Sequence, residues 1–182
     1  MLSGLIVVPP ATAAPPAADL NAMFNAYGNQ GGHWTGGDST VSVPLPDGRT
    51  AWLFSDTFLG TVNPDFSRPR TAPFIRNSIV VQQGNQLVQT VHGGTAQNPT
   101  TLVTGSNPDE FHWVGAAMVQ GNALKALYGR YKNAGSGPLG FQRVGTTLVA
   151  FALPGLTVAS VTDTLRRGNG FLRVVLLSEA AI

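Results

Sequence analysis

Asp38, Asp56 and the adjacent Asp109 and Glu110 are the carboxylates placed where they could do chemistry, in a chain of 182 residues with only 9 acidic side chains. Hydrolysis of a glycosidic bond needs two carboxyl groups, one protonated to assist the leaving oxygen and one ionised to attack the sugar or activate water. Asp38 follows a glycine-rich stretch and opens a run of alternating residues. That place suits a nucleophile or general base, and equally a strand-entry residue bonding the loop before it. Asp56 closes the next run, either as the partner acid or pKa modulator, or as a turn residue bonding the backbone of Phe58. Glu110, after Asn107-Pro108-Asp109, is a general acid from a neighbouring element or a member of a solvated turn.

Two His-Trp pairs, His33-Trp34 and His112-Trp113, each precede a strand-like run. Aromatic faces beside polar groups suit sugar rings, which stack an apolar C–H face and need hydrogen bonds for their hydroxyls; core packing is the competing expectation for each Trp. His92 follows Gly84 at the interval by which Asp56 follows Gly48, which places both on one rim; a surface histidine is the alternative. The His residues are far apart in sequence and lack closely spaced carboxylates, so no metal site is expected. With Cys 0 there is no disulfide, thiolate ligand or thiol nucleophile. Neither a phosphate-cradling glycine loop nor a Gly-x-Ser-x-Gly elbow occurs, and no cofactor is expected.

A hairpin must position the first two carboxylates. Val41, Val43 and Leu45 alternate with Thr40, Ser42 and Pro44, Pro46-Asp47-Gly48-Arg49 is turn chemistry, and Thr50 to Ser55 is rich in β-prone residues. Folding about Gly48 brings Asp38 and Asp56 to the same open end, on a face that the register decides. Similar hairpins are expected about Gly84 and Gly121, so turn glycines recur at 36 and 37 residues, the period of a propeller blade or of a sandwich with evenly spaced hairpins. A fourth hairpin is expected within Phe141–Leu153, broken by Pro154-Gly155, with a strand resuming from Leu156 to Val161. Asp19 to Tyr27 reads as one or two helical turns ended by Gly28, and residues 59–76 as a proline-rich loop.

Composition agrees with many short strands: apolar residues make up 43%, charged residues 11%, with 22 Gly and 13 Pro. The formal charge of +2 is too small and scattered to argue for nucleic acid. Leu2–Val8 and the small-x-small Ala11-Thr12-Ala13 read as the back half of a secretory signal lacking its basic start. No stretch is long and apolar enough to span a membrane as a helix.

Trp34-Thr35-Gly36-Gly37-Asp38, the Leu45–Thr50 turn, Trp52 to Gly60 and Asn77-Ser78-Ile79-Val80-Val81 resemble the opening of a secreted, mainly actinobacterial family known as a domain of unknown function. That family is similar to a group including mycobacterial endo-D-arabinanases. The resemblance covers roughly residues 30–163 and implies a five-bladed β-propeller acting on polysaccharide, with carboxylates at the mouth of a central funnel. Asn77 joins His33, Trp34, His92, His112 and Trp113 among the expected substrate-binding residues. Where relatives carry an acid shortly after the Trp-x-Gly matching Trp113-Val114-Gly115, this chain has Ala116-Ala117.

The expectation is therefore an all-β chain, part of a truncated five-bladed propeller of about three hairpin blades. Residues 1–14 form a secretory signal, 15–163 the propeller-like domain and 164–182 an atypical tail. The expected function is polysaccharide hydrolysis of arabinanase type, using Asp38, Asp56 and Glu110, in a secreted protein. The alternatives are a carbohydrate-binding or surface-interaction domain and an inactive degenerate fragment.

Overall fold

The computed structural model describes residues 17–137 and 139–166. The expected leader and nearly all of the expected tail lie outside the described residues. In chain order the elements are α1 (Ala17–Gly28), β1 (His33–Gly37), β2 (Val41–Pro44), β3 (Thr50–Phe54), β4 (Thr57–Gly60), β5 (Phe74–Ile75), β6 (Ser78–Gln83), β7 (Gln86–Val91), β8 (Gly93–Gly94), β9 (Pro99–Thr100), β10 (Glu110–Gln120), β11 (Ala123–Asn133), β12 (Phe141–Ala152) and β13 (Thr157–Arg166). The fold is all-β and antiparallel apart from α1.

Two four-stranded antiparallel sheets carry the architecture: β10-β11-β12-β13 is a meander of consecutive strands, whereas in β2-β3-β6-β7 the chain leaves after β3 for β4 and β5 and returns at β6. A three-stranded sheet β1-β4-β5 and the short pair β8-β9 complete it. The first hairpin forms as its pattern predicts, with Val43 opposite Ala51 and Pro44 opposite Thr50. Val43, Leu45, Ala51 and Leu53 turn inward. Gly48 takes a φ of 84°, Asp47 accepts from the Arg49 backbone, and Leu45 and Arg49 close the turn at 2.8 Å. The hairpins about Gly84 and Gly121 form as β6-β7 and β10-β11.

The repeat reading needs correction. The hairpins about Gly48 and Gly84 unite in one sheet, because β3 pairs with β6 from Thr50↔Gln82 to Phe54↔Ser78 and buries Ala51, Leu53, Ile79 and Val81 together. Their spacing in sequence therefore does not separate successive sheets. Nor is there a hairpin within Phe141–Leu153: β12 runs unbroken, since its residues pair along β11 from Ala152↔Ala123 to Phe141↔Asn133. The turn falls at 153–156 instead. There Leu156 takes a φ of 57° and donates its N–H to Ala152 O at 2.8 Å, its side chain anchored in the core.

The principal core lies between the two large sheets. Val43, Leu53, Ile79 and Val81 of the first meet Val114, Leu124, Tyr128, Val149 and Phe151 of the second. A smaller cluster packs Tyr27, Met23 and Phe24 of α1 against Phe54, Val80, Leu87, Trp34 and Trp52. The helix is thus 12 residues long, more than the expected turn or two. Its added length is stabilised by burying this aromatic face rather than by its short sequence alone. Among the described residues no helix is long and apolar enough to cross a membrane.

Candidate active site at the junction of the two sheets

Asp38 and Asp56 meet at the open end of the first hairpin. The N–H of Asp38 donates to Asp56 O at 3.1 Å, and the N–H of Ser55 donates to Asp38 O at 2.9 Å. These two bonds continue the ladder between the ends of β1–β4 and β2–β3, so the aspartates are neighbours across a fixed backbone. Asp38 is solvent-exposed. Its carboxyl is nevertheless held above the ordinary range, first by desolvation and then by the charge of Asp56, against the smaller opposing pull of backbone hydrogen bonds and Arg76.

Asp56 is engaged from two sides. Arg76 Nη1 donates to both its oxygens at 3.2 and 3.0 Å, and Trp113 Nε1 donates to Oδ1 at 2.8 Å. Arg76 lies between β5 and β6 with its guanidinium carbon 4.3 Å from the Phe111 ring centroid and 5.2 Å from that of Phe74. Its position is further set by its own N–H, which donates to Thr101 Oγ1 at 3.0 Å. Stacked guanidinium planes pair well with carboxylates because their donors lie in one plane.

Trp113 reaches Asp56 because the start of β10 is fastened to the end of β3. Ser55, fully buried, accepts the Val114 N–H on Oγ at 2.9 Å. Asn77 supplies the second fastening: its Nδ2 donates to Val103 O at 3.1 Å and His112 O at 2.9 Å, while its Oδ1 accepts from Val103 N at 2.7 Å. Asn77 is 0% exposed, so it clamps the backbone and does not face a ligand. Thr57 and Ser78 share a buried hydroxyl bond of 2.9 Å beside it.

Other expected site residues lie elsewhere. Glu110 sits on the face of β10 opposite Trp113, paired with Arg130 Nε at 2.8 Å, and Arg130 also pairs with Asp163. His112 shares that inner face, opposite Arg130 in register. It is fully buried, and neither ring nitrogen has a hydrogen-bond partner among the described residues. Burial pushes its pKa down, outweighing Asp163 and Glu110, which raise it. His33 stacks on Tyr27 with centroids 4.6 Å apart, and Trp34 packs against Phe24 and Phe54 in the helix–sheet core. His92 bonds through Nδ1 to Gly93 O at 2.7 Å, beyond the end of β7.

Of the nine candidates, then, Asp38, Asp56 and Trp113 come together. Arg76, Ser55 and the rings around Trp113 were not singled out from sequence. Trp113 lies 4.7 Å from both Tyr131 and Phe141 and 5.0 Å from Phe111, centroid to centroid. Phe111 and Tyr131 are register partners, a juxtaposition that no local pattern announces. Among the described residues no group of three or more His, Cys, Asp or Glu is placed to hold a metal ion.

The fold has a solved counterpart. A solved structure titled as a "putative hydrolase" from Bacteroides ovatus is similar to this chain with a TM-score of 0.67 and 25% identity, over 80% of this chain and 42% of that one. The chain thus spans less than half the length of that protein. No curated protein matches it. The family model described as "Domain of unknown function (DUF5005)" matches residues 21–176, and the chain belongs to that family.

Proposed function

We propose that the chain is the glycan-acting part of an exported protein, a glycoside hydrolase-like propeller of arabinanase type with Asp38 and Asp56 as its carboxylate pair. One observation carries this reading: the backbone pairing of the two aspartates sets the Asp38 carboxyl beside one already ion-paired with Arg76. Desolvation, and then the charge of Asp56, hold the Asp38 carboxyl above the ordinary range, which suits a group that must keep its proton until it is needed. Asp38 then protonates the leaving oxygen. Asp56, paired with Arg76 and oriented by Trp113, attacks the anomeric carbon or takes the proton from attacking water. This reverses the roles that hairpin order suggested, because a strand-entry aspartate was expected to be the ionised member.

In this reading the two four-stranded sheets are two blades of a five-bladed ring, and the solved neighbour is long enough to hold more. That neighbour's description as a "putative hydrolase" supports the reaction class. Export follows from the apolar run before Ala13. A binding domain without turnover is the second reading, favoured by the half-buried aromatic group of Trp113, Tyr131 and Phe141.

Reducing-sugar release from soluble D-arabinan by wild type and Asp38→Asn tests the proposal. Hydrolysis predicts a loss of at least about a hundredfold with arabinan binding retained, since general acid catalysis contributes ~10²–10⁴ in rate. Undiminished release would remove Asp38 from the reaction. Binding without any release by wild type would favour the non-catalytic domain.

A further inference from the structure

Phe58 of β4 and Phe74 of β5 stand directly opposite one another in register. Alternation sends Thr57, Leu59 and Ile75 inward, while Phe58 and Phe74 face solvent at 38% and 46% exposure. Their ring centroids are 5.0 Å apart. Arg68 lies over the first ring and Arg76 over the second, each guanidinium carbon 5.2 Å from the centroid. Gly36, the register partner of Phe58, has no side chain, and Arg68 takes the space that a Cβ there would occupy. Arg68 donates to the hydroxyl of Thr35 at 3.0 Å and to its carbonyl, and makes no ion pair among the described residues.

The row is continuous with the candidate active site, because Arg76 touches both. It stacks on Phe74 and pairs with Asp56. Two large apolar side chains are thus held outward, each with a guanidinium over its ring, outside both hydrophobic clusters.

We propose that Phe58 and Phe74 form a sugar-stacking subsite beside the Asp38–Asp56 pair, taking a glycan residue one further along than the two whose linkage lies at the carboxylates. The inference rests on the glycan-acting reading of the site. A sugar ring lays its C–H face on an aromatic ring while its hydroxyls accept from neighbouring donors. Arg68 supplies those donors: Thr35 uses only some of its N–H groups, and the fork is already fixed in place. A polymer spans both places, whereas a disaccharide is held at the carboxylates alone.

Calorimetric titration in an Asp38→Asn background, where turnover is blocked, tests this with soluble D-arabinan and with a D-arabinose disaccharide. The double variant Phe58→Ala/Phe74→Ala is expected to bind D-arabinan about tenfold more weakly and the disaccharide unchanged, a stacking contribution of ordinary size. Phe74→Trp, which keeps a ring, is expected to bind the polymer as well as the parent. Equal polymer affinity in the double variant, with the parent binding normally, overturns the subsite and leaves the glycan reading standing. Loss of both ligands with a lowered unfolding midpoint overturns it too, since the two rings would then be structural. If wild type neither binds nor cleaves D-arabinan, the glycan reading and the subsite fall together.

Discussion

The indole Nε1 of Trp113 donates to Asp56 Oδ1 at 2.8 Å across 57 positions of sequence, tying the first strand of one large sheet to the open end of the hairpin in the other. One residue further on, the Val114 N–H bonds to buried Ser55 Oγ. The candidate carboxylate is thus oriented by the same contact that joins the two sheets. Trp113→Phe keeps an aromatic ring among Tyr131 and Phe141 and removes the donor, together with part of the indole's packing area. We expect it to cost about 1.5–3 kcal/mol, the range for a hydrogen bond to a charged group, read as a lower urea midpoint at unchanged slope. An unchanged midpoint would mean the bond contributes nothing to joining the sheets.

Asn77 is the larger structural commitment. Asn77→Ala leaves Val103 N, Val103 O and His112 O without their partner in a dry setting. Leaving such groups unsatisfied costs about 1–3 kcal/mol each where water cannot reach them, so a total loss of roughly 2–4 kcal/mol is expected after partial relaxation. Thermal unfolding measures it, and a shift of less than a few degrees would argue that the loop at 101–104 rearranges freely.

Stability should also respond to the proton on Asp38. Its folded pKa lies above its unfolded value, chiefly through desolvation and then through Asp56. The native state therefore binds more proton than the unfolded chain in the window between the ordinary carboxylate value and the raised one. The contribution is fully present below that window and is lost as pH rises through it. Asp38→Asn removes the loss, so its stability relative to wild type should climb over the same window and then level off. A difference independent of pH would exclude this coupling.

Asp163 should behave in the opposite sense. Desolvation alone would raise its pKa, but the Thr147 hydroxyl and the Arg130 guanidinium outweigh it and hold the carboxyl low. A depressed folded pKa gives stability that is present above the unfolded value and lost as pH falls through the folded one. Asp163→Asn should therefore flatten the acid limb of the stability profile and leave Arg130, buried at 6% exposure, paired with Glu110 alone. Identical acid limbs in variant and wild type would show that the Arg130 cluster does not sense pH.

Local features were legible in the chain. Turn chemistry at Asp47-Gly48, Gly84 and Gly121 with flanking alternation determined three hairpins, and the first of them determined that Asp38 and Asp56 meet, since both lie at one hairpin's open end. What only the tertiary structure decided depends on pairing between distant segments. A hairpin is expected within Phe141–Leu153, yet pairing along β11 from Ala123↔Ala152 to Asn133↔Phe141 keeps β12 one continuous strand with a bulge opposite Arg130 and Tyr131, the ladder outweighing local preference. Union of two hairpins through β3–β6, burial of Asn77 and His112, and the approach of Arg76 and Trp113 to Asp56 likewise follow from which strands pair and which faces close. Alternation places a residue on one of two faces of its strand, and only the sheet packed against it determines whether that face is core or site.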